Sequence, residues 1–428
     1  MEKFDAIVVG AGPAGCASAY VMARSGMNAL VFERGKYAGA KNMWGGAFFG
    51  PQLSELFPDF WKEAPVERFV ARHVISFLTS KGSVAVDFKS AHFGTPPYNG
   101  YILLRAKFDQ WMAKKVEQAG AIIAAGLQAD DLLFDGTKVR GVKAGNEEFL
   151  SDVVILADGA NSLLVEKAGL RKDVSPEDMK QGVKEVIQLS RKTIEERFNL
   201  RGDEGVAMEF VGACTQGLPG GGFLYTNKES LSLGVVVQLS ELFKNKVKAS
   251  GLLERFKEHP EIGRLIEGGK TLEYSAHLIP ASGLKMMPQL SRDGLLVTGD
   301  AASLLLGTGL ILEGSNFAIA SGMAAAETVK AAREKNDFSR ESLAGYEGIL
   351  KENFVLQDLD TFKEAPGFLK NPRIYGLYPE ILVEMAERVF RNSGEPRKRT
   401  YAIMKEVIKE KTSIWQLLSD AMKARRAI

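Results

Sequence analysis

The chain has 428 residues, of which 45% are hydrophobic and 25% charged, with a net charge of +2. That length accommodates two domains, or one large α/β body with an inserted layer. The near-balanced charge leaves no electrostatic footprint for nucleic acid. Two cysteines, Cys16 and Cys214, are too few for a four-thiolate iron–sulfur cluster, a Cys-rich zinc site or a secreted disulfide scaffold.

Residues 1–35 read as strand, turn, helix and strand. Ala6–Val9 is a continuous apolar run of the kind buried in a parallel sheet. It is preceded by Asp5 and leads straight into a glycine turn, which is not a signal-peptide pattern. Ala14 to Arg24 has helical character, and Gly26 is placed to end it. Ala29–Phe32 forms the second strand, closed by Glu33. The glycine-rich aromatic stretch 36–50 reads as a loop. Residues 65–100 alternate apolar and polar side chains, with a hairpin turn at Lys81-Gly82.

A helix is expected over 106–119, then short strands at Ala121–Ala124 and Val139–Val142. The stretch "DVVILADGANS" (152–162) is a further buried strand running into a turn. Residues 180–280 read as largely β, with a helical piece near 248–266. "DGLLVTGDAAS" (293–303) is again strand then turn, and a helix should run from about Asn316 to Arg333. Beyond residue 340 the chain is mostly helical. No run of about 18 apolar residues is present, so no spanning helix is expected. The expected location is cytoplasmic, compatible with lying on a membrane surface.

Gly10-Ala11-Gly12-Pro13-Ala14-Gly15 fits G-x-G-x-x-G. Gly10 permits the tight turn out of the strand, Gly12 lets backbone approach a pyrophosphate, and Gly15 allows close helix–strand packing. The helix N-terminus offers free N–H groups to phosphates. A carboxylate at Glu33 accepts hydrogen bonds from ribose hydroxyls and selects an unphosphorylated ribose. Strand, motif, helix, second strand and acid together indicate a dinucleotide, but do not separate FAD from NAD.

Two later strand ends, Ala157-Asp158-Gly159 and Gly299-Asp300, complete a pattern that resembles the FAD-containing hydroxylase and reductase superfamily, the group-two flavoproteins. The resemblance implies FAD as cofactor, with Asp300 at the ribityl and pyrophosphate region and the Ala157–Gly159 turn packed beside the pyrophosphate. "LLRAKFDQWM" (103–112) is similar to that family's Arg-x-x-x-Asp helix start and implicates Arg105. "GLQADDL" resembles the strand whose backbone meets adenine, near Ala129. The turn "GTGLILEGSN" (307–316), with Gly307 and Gly309, suits a flavin edge just before a helix.

Longer stretches narrow the resemblance. "ERGKYAGAKNMWGGAFF", "GGFLYTNKESLSLGVVVQL", "FKEHPEIGRLIEGGKTLEYSAHLIPASGLKMMPQL" and "NPRIYGLYPE" look like the electron-transfer-flavoprotein:quinone oxidoreductases, most of all the FixC-type subunit. In the first of these, Arg34, Asn42, Gly45 and Gly46 are taken as further cofactor contacts. The resemblance implies a FAD-binding α/β fold of glutathione-reductase-like, hydroxylase type, with an inserted β-rich layer and a helical C-terminal region. The expected segments are 1–70, 101–175 and 285–335 for FAD, 71–100 and 176–284 for the β-rich quinone part, and 336–428 for the helical region.

It also implies partners: a two-chain electron-transfer flavoprotein, a quinone, and a small ferredoxin-like iron–sulfur subunit, since no cysteine follows Cys214. In such a complex NADH electrons bifurcate, one branch ending in quinone and the other in ferredoxin or flavodoxin. Tyr274 and His277, in "YSAHLIP", are candidate quinone contacts, local strand packing being the alternative for both. "IWQLLSDAMKARRAI" (414–428) is either an interfacial helix with a basic end or an ordinary amphipathic helix packed on the body or a partner. "GFLKNPRIYGLYPEILV" (367–383) either lines a quinone channel or fills core.

The competing readings are a stand-alone geranylgeranyl reductase-like or aromatic-hydroxylase-like oxidoreductase, and a FAD-stabilised assembly subunit without turnover. Neither the reductases' aromatic–Pro-Lys strand motif near Phe223–Tyr225 nor the halogenase Trp-x-Trp-x-Ile-Pro is present.

Overall fold

The computed structural model describes residues 3–41, 45–172, 174–309 and 311–428. The chain opens with β1 (Lys3–Val9), the helix Pro13–Arg24 and β2 (Ala29–Glu33). Strands β3 (Gly45–Phe49), β4 (Val66–Leu78), β5 (Ser83–Lys89) and β6 (Gly100–Leu104) precede the helix Arg105–Gln118. Next come β7 (Ile122–Ala125), β8 (Asp131–Asp135), β9 (Lys138–Ala144) and β10 (Glu147–Leu156). The second half contributes β11 (Met179–Gln188), β12 (Glu204–Gly212), β13 (Gly220–Thr226), β14 (Ser230–Gln238) and β15 (Lys270–Pro280). After β16 (Ser291–Arg292) and β17 (Leu295–Val297) the chain enters the long helix Ser315–Glu334 and a series of shorter helices.

Among the described residues these strands form one sheet of eight strands and one of nine. The first has the order β16-β17-β10-β1-β2-β7, with β9 pairing β10 and β8. Its centre is parallel, Val8 standing beside Ile155 on one side and Val31 on the other. Ala6, Ile7 and Val8 are fully buried, as a parallel strand covered on both faces requires. The helices Pro13–Arg24 and Ser315–Glu334 cross closely, because a Cβ at Gly322 would lie 2.2 Å from the Ala14 carbonyl oxygen.

The second sheet has the order β15-β11-β14-β13-β12-β4-β6-β3, with β5 on β4. Period-two alternation gives it two unlike faces. One face buries Phe210, Leu224, Leu233 and Val235 against the helix Ala249–Glu258. The other face carries His73, Ala207, Glu209, Phe223, Tyr225, Val236, Gly182 and His277, fixed there by the register pairs Ala207–His73, Glu209–Phe223, Ala207–Tyr225 and Gly182–His277.

Several expectations need correction. The stretch 36–50 is not wholly a loop, since its second half is β3, paired antiparallel with β6 from Gly45–Leu104 to Phe49–Gly100. Two glycines hide its alternation, but Phe48 is buried 5.5 Å from Phe108, centroid to centroid. Because β3, β6 and the start of β4 all belong to the second sheet, segment boundaries at 70 and 101 cut through it. The residues around Ala129 form no strand, being irregular backbone between β7 and β8. The hairpin at Lys81-Gly82 is present as the connection from β4 to β5.

Candidate functional site

The motif turn is built by sterics. Gly10 sits at φ +104°, and a Cβ there would lie 2.4 Å from the Ala157 carbonyl oxygen. A Cβ at Gly15 would lie 1.9 Å from the Gly10 carbonyl oxygen, so helix and turn are in backbone contact. Gly12 differs: its Cβ would point into open space, with only Arg105 Nη2 nearby at 3.9 Å. Gly12 is also the N-cap of the helix and brings no side chain to its free N–H groups. The turn therefore presents bare donors to a cleft, which is how a helix N-terminus receives a phosphate. Cys16 is buried, donates its thiol to the Ala11 carbonyl, and has its pKa raised by burial. It is a packing residue of the helix.

Glu33 closes β2 with both carboxylate oxygens engaged by backbone: Oε2 accepts from Ala11 N at 3.1 Å and Oε1 from Gly35 N at 2.6 Å. This fixes the acid at the cleft wall beside Arg34, Gln128 and Ala129. Arg105, beside Gly12 in the same cleft, is held by Asp109 in a bidentate pair of 2.6 and 2.7 Å. Burial works against the guanidinium cation, yet the Asp109 carboxylate keeps its pKa raised. Asp300 lines the same cleft. Burial raises its pKa, opposed by the positive charge of His277 and Arg105.

Asp158 follows Ala157 at the end of β10. Burial pushes its carboxyl up to about 6, opposed by its hydrogen bond with Ser162 and by Arg171 and Arg34. Its Oδ1 is buried without a hydrogen-bond partner among the described residues. An orphaned acceptor of this kind marks a place for a ligand donor. Across the cleft, the helix Ser315–Glu334 starts at Gly314, again with no side-chain cap, and Gly314, Ser315 and Asn316 line the wall.

These groups enclose a cavity of about 440 Å³. Pro13, Ala14, Gly159 and His277 also border it. Gly15 and Gly299 do not; they are packing glycines, Gly299 at φ +62° against Ala14. Gly46 borders neither this cavity nor the second one described below, Gly45 is described only in its backbone, and Asn42 lies outside the described residues. Gly307 and Gly309 border a second cavity of about 230 Å³ instead. Tyr274 borders neither: it stands an odd number of residues from His277 on β15, so alternation turns it to the opposite face, where it is exposed.

The second cavity adjoins the first. Ala47, Phe49, Phe223, Val236, Ile279, Leu305 and Leu312 border both. Its other walls include His73, Lys180, Glu209 and Tyr225 from the second sheet, and Leu369, Ile374 and Tyr375 from the stretch 367–383. Sequence reasoning missed the first four. The available signal was a lone acid, Glu209, in the otherwise apolar strand "VAMEFV".

A glycine turn, two uncapped helix ends, a paired arginine and an orphaned carboxylate fit a flavin dinucleotide, and the fold and this cleft define a FAD-dependent oxidoreductase. Residues 3–198 match the family described as FAD binding domain, 180–279 the ubiquinone-binding domain of ETF-QO, and 365–428 the ETF-QO/FixC family C-terminal domain. The chain is 44% identical to the probable electron transfer flavoprotein-quinone oxidoreductase YdiS of Escherichia coli K12, over 100% of this chain and 99% of that one. It is 42% identical to protein FixC of the same strain, over 99% and 98%. The chain belongs to the electron transfer flavoprotein-quinone oxidoreductase (ETF-QO)/FixC family, and its cofactor is FAD.

Among solved structures, a geranylgeranyl bacteriochlorophyll reductase-like protein from Thermoplasma acidophilum superposes with a TM-score of 0.74, covering 99% of this chain and 100% of that one at 22% identity. The flavin-dependent brominase Bmp2 superposes at 0.64, covering 96% and 99% at 18% identity. At these identities the likeness is one of fold.

Proposed function

We propose that this chain receives electrons from a two-chain electron-transfer flavoprotein on its FAD and passes them to a quinone. The observation that carries the reading is the shared wall between the two cavities. A dinucleotide in the first would place a redox ring against a mostly apolar chamber able to take a flat ring. FAD supplies the electron-carrying chemistry; the protein binds, orients and excludes water. In this reading Gly10, Gly12, Pro13 and Ala14 receive the pyrophosphate together with Arg105, and Glu33 takes the ribose. Ala129 lies beside adenine, and Asp158 and Asp300 hold the polar middle of the cofactor. Residues 1–70, 101–175 and 285–335 supply most of the FAD part.

The finer reading is the quinone branch of an NADH-dependent bifurcating complex, completed by a small ferredoxin-like subunit and a low-potential branch to ferredoxin or flavodoxin. The family membership supports it. A lipid-dwelling substrate also calls for contact with the membrane surface. Among the described residues no helix is long and apolar enough to cross a membrane. The terminal helix Ile414–Ala427 does leave Ile414 (60%), Trp415 (78%) and Met422 (63%) exposed, with Lys423, Arg425 and Arg426 following. That supports a peripheral attachment with a basic flank.

The test is purification under mild conditions, identification of co-purifying chains, and flavin spectra recorded with NADH and a short-tailed quinone analogue. Reduction by NADH through the co-purified chains, reversed by quinone, is the expected result. A chain that runs alone and is reduced directly by NADPH overturns the reading.

A further inference from the structure

The second cavity holds a group that the electron-transfer reading does not use. Glu209 stands at the middle of β12, opposite Phe223 on β13, and lines the cavity without a hydrogen-bond or ion-pair partner among the described residues. Its neighbours make a shelf: Phe223 and Tyr225 stack at 5.2 Å with 22° between their planes. An unpaired carboxylate in such a place is costly unless the group is protonated or used.

We propose that Glu209 is a catalytic acid that hands a proton to one carbonyl oxygen of a quinone bound in the second cavity. The proposal rests on the quinone reading above. Reduction of a quinone takes two electrons and two protons, and each C=O becomes C–O–H. The electrons come from the reduced cofactor. Glu209 gives a proton to the oxygen nearest it, is left as carboxylate, and regains a proton from water at the cavity mouth. Water supplies the second proton.

Loss of solvent lifts the Glu209 carboxyl to about 7, with no cation opposing the shift, so near neutrality it is poised both to give and to regain a proton. Other titratable groups lining the chamber are Tyr225 from β13, His73 from β4, Lys180 from β11, and Lys363, Lys370 and Tyr375 from turns between the C-terminal helices. Tyr225 has its pKa raised by burial and by Glu209, which keeps it protonated. Burial lowers His73, and burial and Lys370 lower Lys180. Of these groups Glu209 is the carboxyl, and burial has carried it to about 7.

The experiment follows re-oxidation of the chemically reduced FAD protein by stopped flow, against a short-tailed ubiquinone analogue and against ferricenium, which takes an electron and no proton. Wild-type quinone rates should fall as pH rises through about 7. Glu209→Gln should lower the quinone rate tenfold or more at pH 7, flatten its pH profile, and leave ferricenium re-oxidation unchanged. Glu209→Asp should retain part of the rate and the pH dependence. Equal quinone rates and profiles in wild type and Glu209→Gln overturn the assignment of Glu209 alone. A wild-type rate that is flat from pH 6 to 9 does the same without any variant. A wild-type protein that ferricenium re-oxidises and quinone does not overturns the quinone reading and this proposal with it.

Discussion

Arg105 and Asp109 face each other one helical turn apart and share two parallel hydrogen bonds of 2.6 and 2.7 Å at the edge of the nucleotide cleft. The carboxylate is buried, so it can leave neither its partner nor the protein interior. Removing it strands a buried cation. Asp109→Ala is expected to destabilise the protein by about 3–5 kcal/mol and to lower its FAD content. Denaturant unfolding and flavin absorbance per chain check both.

The motif glycines should separate by role. Gly10→Ala forces a side chain into backbone at a left-handed φ and should give protein that folds poorly. Gly12→Ala has room and an ordinary φ, so stability should change by about 1 kcal/mol or less. The added methyl instead intrudes on the cleft, and FAD affinity should fall about tenfold or more. Titration of apoprotein with FAD, beside a melting curve, distinguishes the two.

How much of this was legible in the sequence follows from distance along the chain. Gly10 to Gly15, Glu33 and the Arg105–Asp109 pair act within one turn, one strand end or one helix, so their spacing carries their geometry. The second cavity does not work that way. His73, Lys180, Glu209 and Tyr225 come from four strands and meet through register pairs that no local pattern states. β3 was hidden because glycine shows no alternation. Tyr274 is a different case: an odd separation from His277 on a strand already says that both cannot face one site.

Asp158 predicts a pH effect. Its folded pKa of about 6 lies above the ordinary carboxylate value, so below about pH 4 it costs nothing. The penalty grows between about pH 4 and 6 and is complete above that. Asp158→Asn should therefore stabilise the apoprotein by about 1–3 kcal/mol at pH 8 and leave it unchanged at pH 4. Urea unfolding of apoprotein at the two pH values reads this directly, and FAD binding should weaken in the same variant.

The terminal helix is anchored by one acid. Asp420 accepts from Arg373 at 2.7 and 2.8 Å and from the Tyr378 hydroxyl, and Arg373 holds its pKa well below the usual carboxylate range. A depressed acid stabilises above its unfolded pKa and loses that contribution as pH falls through the folded value. Asp420→Ala should speed amide exchange across 414–427 at neutral pH without altering the flavin spectrum. Mass-resolved hydrogen exchange tests it.

The exposed face of the same helix makes a further prediction. Trp415→Asp should reduce co-sedimentation with anionic vesicles several-fold while FAD content is unchanged. Equal sedimentation of both proteins would separate this helix from any membrane role.

Seven residues border both cavities, and they impose a constraint on change. A substitution at Phe223 or Ala47 reshapes both cavities at once, which on the proposed reading are the acceptor chamber and the pocket of the redox ring. On the proposed reading, acceptor fit and the surroundings of the flavin are set by the same seven positions. On that reading, a change of acceptor alters the positions that also surround the redox ring, which favours paired substitutions across the partition over single ones.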